Sequence, residues 1–77
     1  SIENNCINLI TNIGIKNHKV NLIYQTNLSD VEIKKAVINL KNSVINSDSE
    51  HIFIIEQIKS LLSDYLKIDK EMVIINE

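Results

Sequence analysis

Apolar side chains recur at helical spacing near both ends of the chain. The first stripe predicts an amphipathic helix that ends at Gly14, since glycine favours the left-handed conformation of a helix C-terminus. Its members are Ile2, Cys6, Leu9, Ile10 and Ile13. A second and more regular stripe predicts a helix over residues 50–67. Its apolar face comprises Ile54, Ile55, Ile58, Leu61, Leu62, Tyr65 and Leu66.

Two shorter segments have the composition of β-strands. Residues 20–25 read VNLIYQ, in which bulky and β-branched residues predominate, and Val20, Leu22 and Tyr24 alternate with the others. Residues 13–16 are a candidate partner strand, which would form a hairpin across Asn17 and His18. The apolar run 72–75 is too short for an independent helix, so we expect an extended segment packed on the core.

The middle of the chain favours one more helix. Ser29 and Glu32 have the spacing of a capping box, which predicts a helix over residues 31–45. Its apolar positions are Ile33, Val37, Leu40 and Val44, and Val31, Ile38 and Ile45 widen the stripe. Such a wide apolar arc implies contacts on two sides. Residues 46–50, NSDSE, are the expected loop before the next helix.

Together these segments predict a single small domain, residues 1–77, of the α+β class and mostly helical. The expected architecture is three helices with a small hairpin or short strands, in the order α-β-β-α-α-β. A small all-α bundle is the alternative. A domain of this length buries only about 60% of the surface that its unfolded chain exposes, so we expect a small hydrophobic core and a narrow margin of stability.

Charge argues against nucleic acid as a partner. The net charge is −2, and all eight basic residues are lysines scattered along the sequence. Arginine grips phosphate better than lysine does, and counterion release needs clustered cations. No apolar run of about 18 residues and no signal peptide is evident, which predicts a chain that neither spans nor binds a membrane. The single cysteine, Cys6, favours a cytoplasmic, reducing compartment.

Candidate chemistry is sparse. His18 and His51 belong to no metal-binding spacing, and Cys6 lies on an apolar stripe, so we expect no metal and no cofactor. A nucleophilic relay of Cys6 with a histidine would need a shielded pocket, for which the chain has little material. We therefore expect no enzymatic activity. The acidic residues of the last helix, Glu56 and Asp64 among them, are typical of a solvated face, or could attract a basic partner.

Residues 58–76, IKSLLSDYLKIDKEMVIIN, resemble the first helix and following loop of acyl carrier proteins. The matching positions are Ile58, Leu61, Leu62, Leu66, Ile68, Glu71 and Val73. In that family the phosphopantetheine is attached to a serine of a downstream Asp-Ser-Leu motif, and the present chain ends before that place. The run from Tyr65 to Val73 is also similar to division-site topology factors, in which further strands follow this segment.

Residues 1–46 resemble the docking domains at the starts of megasynthase subunits, which contain a small helix, a hairpin and two further helices. Those domains capture the tail of the preceding enzyme by adding it to a strand edge. The resemblance implies that residues 20–25 would be the corresponding edge.

These observations predict a non-catalytic protein–protein interaction module, such as a docking or carrier-adjacent domain of a fatty-acid, polyketide or peptide synthase. A stand-alone regulatory or immunity-type protein that inhibits another protein is the alternative. We expect a protein or peptide segment as the partner, with a homodimer also open. The candidate contact residues are Val20, Leu22, Tyr24, Ile38 and Ile45.

Overall fold

The computed structural model describes residues 1–40 and 48–77. Within these residues the fold has two α-helices and a three-stranded mixed sheet. The elements are α1 (Ile2–Asn12), β1 (Lys19–Thr26), β2 (Val31–Asn39), α2 (Asp48–Leu66), the 3₁₀ turn Lys70–Met72 and β3 (Val73–Asn76). The class is α+β in the order α-β-β-α-β, so the predictions of three helices and of an all-α bundle are wrong.

Both helices have defined ends. The Ser1 side chain accepts a hydrogen bond from the Asn4 N–H at 3.1 Å and so caps the start of α1. Gly14 follows the end of α1 with a φ of 101°, a left-handed conformation that glycine adopts without strain, as predicted. The predicted helix over residues 50–67 is confirmed as α2. It ends where Lys67 turns left-handed and Ile68 donates its N–H to the Ser63 carbonyl at 3.2 Å.

The predicted helix over residues 31–45 is wrong, because residues 31–39 form β2. A β-bulge explains the misleading pattern. Ile23 pairs with Lys35 and Tyr24 with Ile33, which leaves Lys34 as an extra residue in β2. The bulge moves Ile33 onto the same face as Ala36, three residues away, and this spacing imitates a helix. Val44 and Ile45 lie outside the described residues.

The sheet has the order β1-β2-β3. The strand predicted at 20–25 is confirmed as β1, but its antiparallel partner is β2 and not residues 13–16. The run predicted as extended at 72–75 is confirmed as β3, which pairs in parallel with the end of β2 from Ala36↔Val73 to Asn39↔Asn76. A parallel pair requires a crossover connection, which includes α2.

The core lies on one face of the sheet, which we call the inner face. Both helices pack there, and the buried cluster comprises Cys6, Ile10, Ile15, Val20, Ala36, Ile38, Leu40, Ile58, Leu62 and Val73. The opposite, outer face carries Ile23 and Ile74, both exposed, and half-buried Val37. Neither α1 nor α2, the helices of the described part of the chain, is long and apolar enough to cross a membrane.

Candidate functional site

The outer edge of β1 is the most distinctive surface of the domain. Because β1 is the first strand in the sheet order, only one of its edges is paired, and no strand within residues 1–40 and 48–77 covers the other. Natural edge strands usually carry charges, proline or a bulge that prevents further pairing. The seven residues Val20–Thr26 contain no charge and no proline, and the bulge lies in β2. The edge is therefore chemically open to another strand.

The hairpin turn fixes the direction of the backbone groups along this edge. Asn27 donates its N–H to the Asp30 carbonyl at 2.8 Å, across the hairpin. In an antiparallel ladder, alternate residues point their N–H and C=O groups toward the partner strand and away from it. By this alternation Val20, Leu22, Tyr24 and Thr26 direct their backbone groups to the outer edge. Four residues can thus bond an added strand while β1 stays paired with β2.

The five candidate contact residues fall in different environments. Val20 and Ile38 belong to the buried cluster, with Ile38 0% exposed, so their side chains pack within the domain, and their contact with a partner stays a prediction. Leu22 is half-buried, and Tyr24 is 49% exposed. Ile45 lies outside the described residues. Of the candidate contacts, β1 therefore offers a partner the side chains of Leu22 and Tyr24 together with its backbone groups. The apolar arc expected on a helix over residues 31–45 does not form, because residues 31–39 are the strand β2.

The sequence analysis did not predict a partly apolar groove that lies beneath the β1–β2 hairpin. Beyond the bulge, the hairpin end of β1 and β2 extends past the ends of the helices. We call this part, residues 24–33, the overhang, and its residues Leu28 and Val31 are exposed. An open groove of about 880 Å³ separates this overhang from the end of α2. It is lined by Ile2, Tyr24, Val31, Glu32, Ile33, Lys34, Lys35, Leu66, Lys67, Ile68, Asp69 and Met72. The sequence signal for this groove was the interrupted alternation of apolar and polar residues around Lys34. Beyond that residue, α1 and α2 do not cover the sheet.

Charges at the rim of this groove are partly paired. The Lys34 ammonium lies 3.0 Å from the Glu32 carboxylate, and both side chains are about half exposed. An ion pair of this kind contributes little to stability, of order 0–1 kcal/mol. Residues two apart in a strand lie on the same face of the sheet, so Glu32 and Lys34 are neighbours on the overhang, away from the buried cluster.

Cys6 and His51, two of the residues considered for chemistry, lie in different surroundings. Cys6 is a buried, free thiol of α1, and burial raises its pKa, with the negative charge of Glu3 raising it further. A thiol with a raised pKa is a poor nucleophile near neutral pH. His51 pairs with Glu77 at the end of the chain. Among residues 1–40 and 48–77, no three side chains of His, Cys, Asp or Glu are grouped to hold a metal ion.

His18 provides a test of local packing. Both of its ring nitrogens are buried without a hydrogen-bond partner. An unsatisfied buried polar atom costs about 1–3 kcal/mol. We therefore expect His18→Phe, which keeps a flat ring but removes the nitrogens, to raise the free energy of unfolding by about 1 kcal/mol in urea denaturation.

His51→Phe is the control, because His51 has an ion-pair partner and its replacement should bring no such gain. A loss of stability in His18→Phe would contradict the expectation and would indicate that ordered water satisfies the His18 ring.

The residues that carry the resemblance to acyl carrier proteins have packing positions. Ile58 and Leu62 are fully buried in α2, and Val73 is buried at the start of β3. The chain matches no protein-family model, and no similar curated protein or solved structure is found.

Proposed function

We propose that this domain is a non-catalytic protein–protein interaction module that binds an extended segment of another protein by strand addition at the outer edge of β1. The observation that carries the proposal is the outer edge of β1, which no strand of residues 1–40 and 48–77 covers and along which seven consecutive residues, Val20–Thr26, are uncharged. Proteins normally protect such edges, because an open edge pairs with any suitable strand. An edge left unprotected over this length is therefore well suited to binding.

In this mechanism the main chain supplies affinity and the side chains supply selectivity. Backbone groups of Leu22 and Tyr24 bond the incoming segment. Its side chains alternate between the two faces of the sheet, so one set lies beside Leu22 and Tyr24 on the inner face and the other beside Ile23 on the outer face. An uncharged segment with apolar residues at alternate positions fits both sets.

The biological setting is also a proposal. The resemblance to docking domains and to the start of acyl carrier proteins supports a docking or carrier-adjacent role in a fatty-acid, polyketide or peptide synthase. Residues 20–25, which correspond to the docking edge in that resemblance, lie within β1, and no strand of residues 1–40 and 48–77 covers the outer edge of β1. The unpaired thiol of Cys6 supports action in the reducing cytoplasm.

The test begins with a display library of linear peptides selected against the wild-type domain. An enriched peptide is titrated into labelled protein, and the largest amide shifts are expected in Lys19–Thr26. Tyr24→Pro removes one outward N–H and leaves the ladder to β2 in place, as proline at a sheet edge does. Loss of one backbone hydrogen bond, which leaves a carbonyl of the peptide without its donor, should weaken peptide binding by about tenfold.

Tyr24→Ala is the matched control at the same position. It removes the ring but keeps the N–H, so its loss of affinity should be clearly smaller than that of Tyr24→Pro. Equal losses in the two variants, or shifts that spare β1 and cluster at the groove, would count against strand addition. Circular dichroism of both variants should match the wild type, which excludes unfolding as the cause.

A further inference from the structure

The edge of β1 has a residue order that is complementary to itself. Read forward it is VNLIYQT, and an antiparallel second copy presents the same residues in reverse. With Ile23 at the centre, valine faces threonine, asparagine faces glutamine, leucine faces tyrosine and isoleucine faces isoleucine. The pairs join β-branched with β-branched, amide with amide and aliphatic with aromatic side chains, and none brings like charges together, which would be destabilising.

We infer that β1 of a second copy of the chain occupies this edge when no other segment is bound, in an antiparallel pairing centred on Ile23; this rests on the proposed strand-addition edge and adds a second occupant to it. The product is a symmetric dimer with a continuous six-stranded sheet. Both copies use the same surface, as a two-fold interface requires.

The alternation along the strand restricts the register. Residues directly opposite in an antiparallel pair lie on the same face of the sheet, so inner-face Leu22 must meet an inner-face residue of the second copy, of which Tyr24 is one. This pairing also places outward backbone groups opposite outward backbone groups. Of the registers that satisfy both conditions, the one centred on Ile23 pairs the whole uncharged run Val20–Thr26 with itself and leaves Lys19 outside the run.

The antiparallel direction also explains why the hairpin extends beyond its helices. In each copy the helices cover the part of β1 near Val20, whereas Tyr24 and Thr26 belong to the overhang and are exposed. Reversal of the second strand sets the bare overhang of one copy beside the helix-covered part of the other. The uncovered inner face is thereby placed next to α1 of the second copy, and the two helical layers are staggered.

Disulfide cross-linking tests the register directly. At the two-fold axis, Ile23→Cys meets its own symmetry mate at a Cα separation of about 4.5 Å, which a disulfide can span. Asn21→Cys is the matched control on the same face, because its symmetry mate lies four residues away, about 13 Å along the strands. A mixture of Asn21→Cys and Gln25→Cys chains should link to each other, since these positions are opposite.

Under mild oxidation Ile23→Cys should give a linked dimer in most chains, and Asn21→Cys alone at least about tenfold less. The variants are made with and without Cys6→Ala, so that a folding defect from that change is recognised; Cys6 is buried and should not cross-link. Sedimentation equilibrium of the wild type should show the mass rising from 8.8 kDa toward twice that value with concentration, and Tyr24→Pro should weaken this association about tenfold.

Equal cross-linking of Ile23→Cys and Asn21→Cys would overturn the register. A wild-type chain that remains at 8.8 kDa up to about 1 mM would overturn self-pairing, since symmetric interfaces of stable dimers bind far more tightly. Peptide binding at β1 with a monomeric chain would leave the proposed function intact and reject only the second copy. Absence of both peptide binding and dimer would reject the two together.

Discussion

Ile38→Lys is expected to unfold the domain. Ile38 is 0% exposed on the inner face of the central strand, with Val20 opposite it in β1 and Ile75 in β3. A buried ammonium without a partner costs many kcal/mol, whereas the total stability of a chain this size is about 4–12 kcal/mol. Circular dichroism and thermal melting should show loss of the cooperative transition.

Val37→Lys is the matched control, one residue away on the outer face. Its half-buried side chain faces away from the helices, so the lysine stem can lie on the sheet with its charge in water. We expect this variant to fold with a stability within about 1 kcal/mol of the wild type. Unfolding of both variants would mean that Val37 is covered as well, and that the sheet does not have one open face.

The second large effect is expected for Ile58→Ala. Ile58 is 0% exposed and lies on the face of α2 that packs on the sheet. Its truncation therefore leaves a cavity within the buried cluster. Isoleucine-to-alanine changes in a well-packed core cost about 2–5 kcal/mol. In a domain of this size that loss is a large part of the total stability. The midpoint of urea denaturation measures it.

Ile52→Ala makes the same chemical change on the same helix, at a side chain that is 64% exposed. It should alter the free energy of unfolding by less than about 0.5 kcal/mol, because little apolar surface leaves the core. If Ile52→Ala were as damaging as Ile58→Ala, the helix would present a different face to the sheet than the one described here.

A self-paired edge would also regulate access to the proposed binding site. A partner segment and a second copy compete for the same backbone groups of Leu22 and Tyr24, so only one can be bound at a time. Peptide affinity should then fall as the protein concentration rises, by mass action. Conversely, a peptide that binds tightly should return the protein to the mass of one chain.

The helices were accessible to sequence reasoning because their evidence is local. The repeat from Ile54 to Leu66 has one period throughout, and Gly14 marks the end of α1 through its own backbone preference. The strand β1 was also recognisable from its β-branched and aromatic content. The buried state of Ile58 and Leu62 followed from the same periodicity, and the structure confirms it.

The state of residues 31–39 could not be read in the same way. A capping-box spacing at Ser29 and Glu32 and an apolar stripe favour a helix locally, but pairing with β1 on one side and β3 on the other outweighs these weak preferences. The bulge at Lys34 also obscures the strand pattern in the sequence. One extra residue changes the spacing between successive inner-face residues from two to three, as between Ile33 and Ala36, and this resembles helical spacing. The predicted partner contact of Ile38 rests on this helical pattern, whereas in the structure Ile38 is buried in the central strand.

Helical periodicity, caps and strand composition were sufficient to predict where α1, α2 and β1 lie and that Ile58 and Leu62 are buried, because these signals act over a few neighbouring residues. Three features became evident only from the three-dimensional arrangement: residues 31–39 are a strand, no strand of residues 1–40 and 48–77 covers the outer edge of β1, and Val20 and Ile38 are core residues. Those features depend on which segments meet across the sheet, and a pairing between distant segments contributes free energy that no local pattern contains.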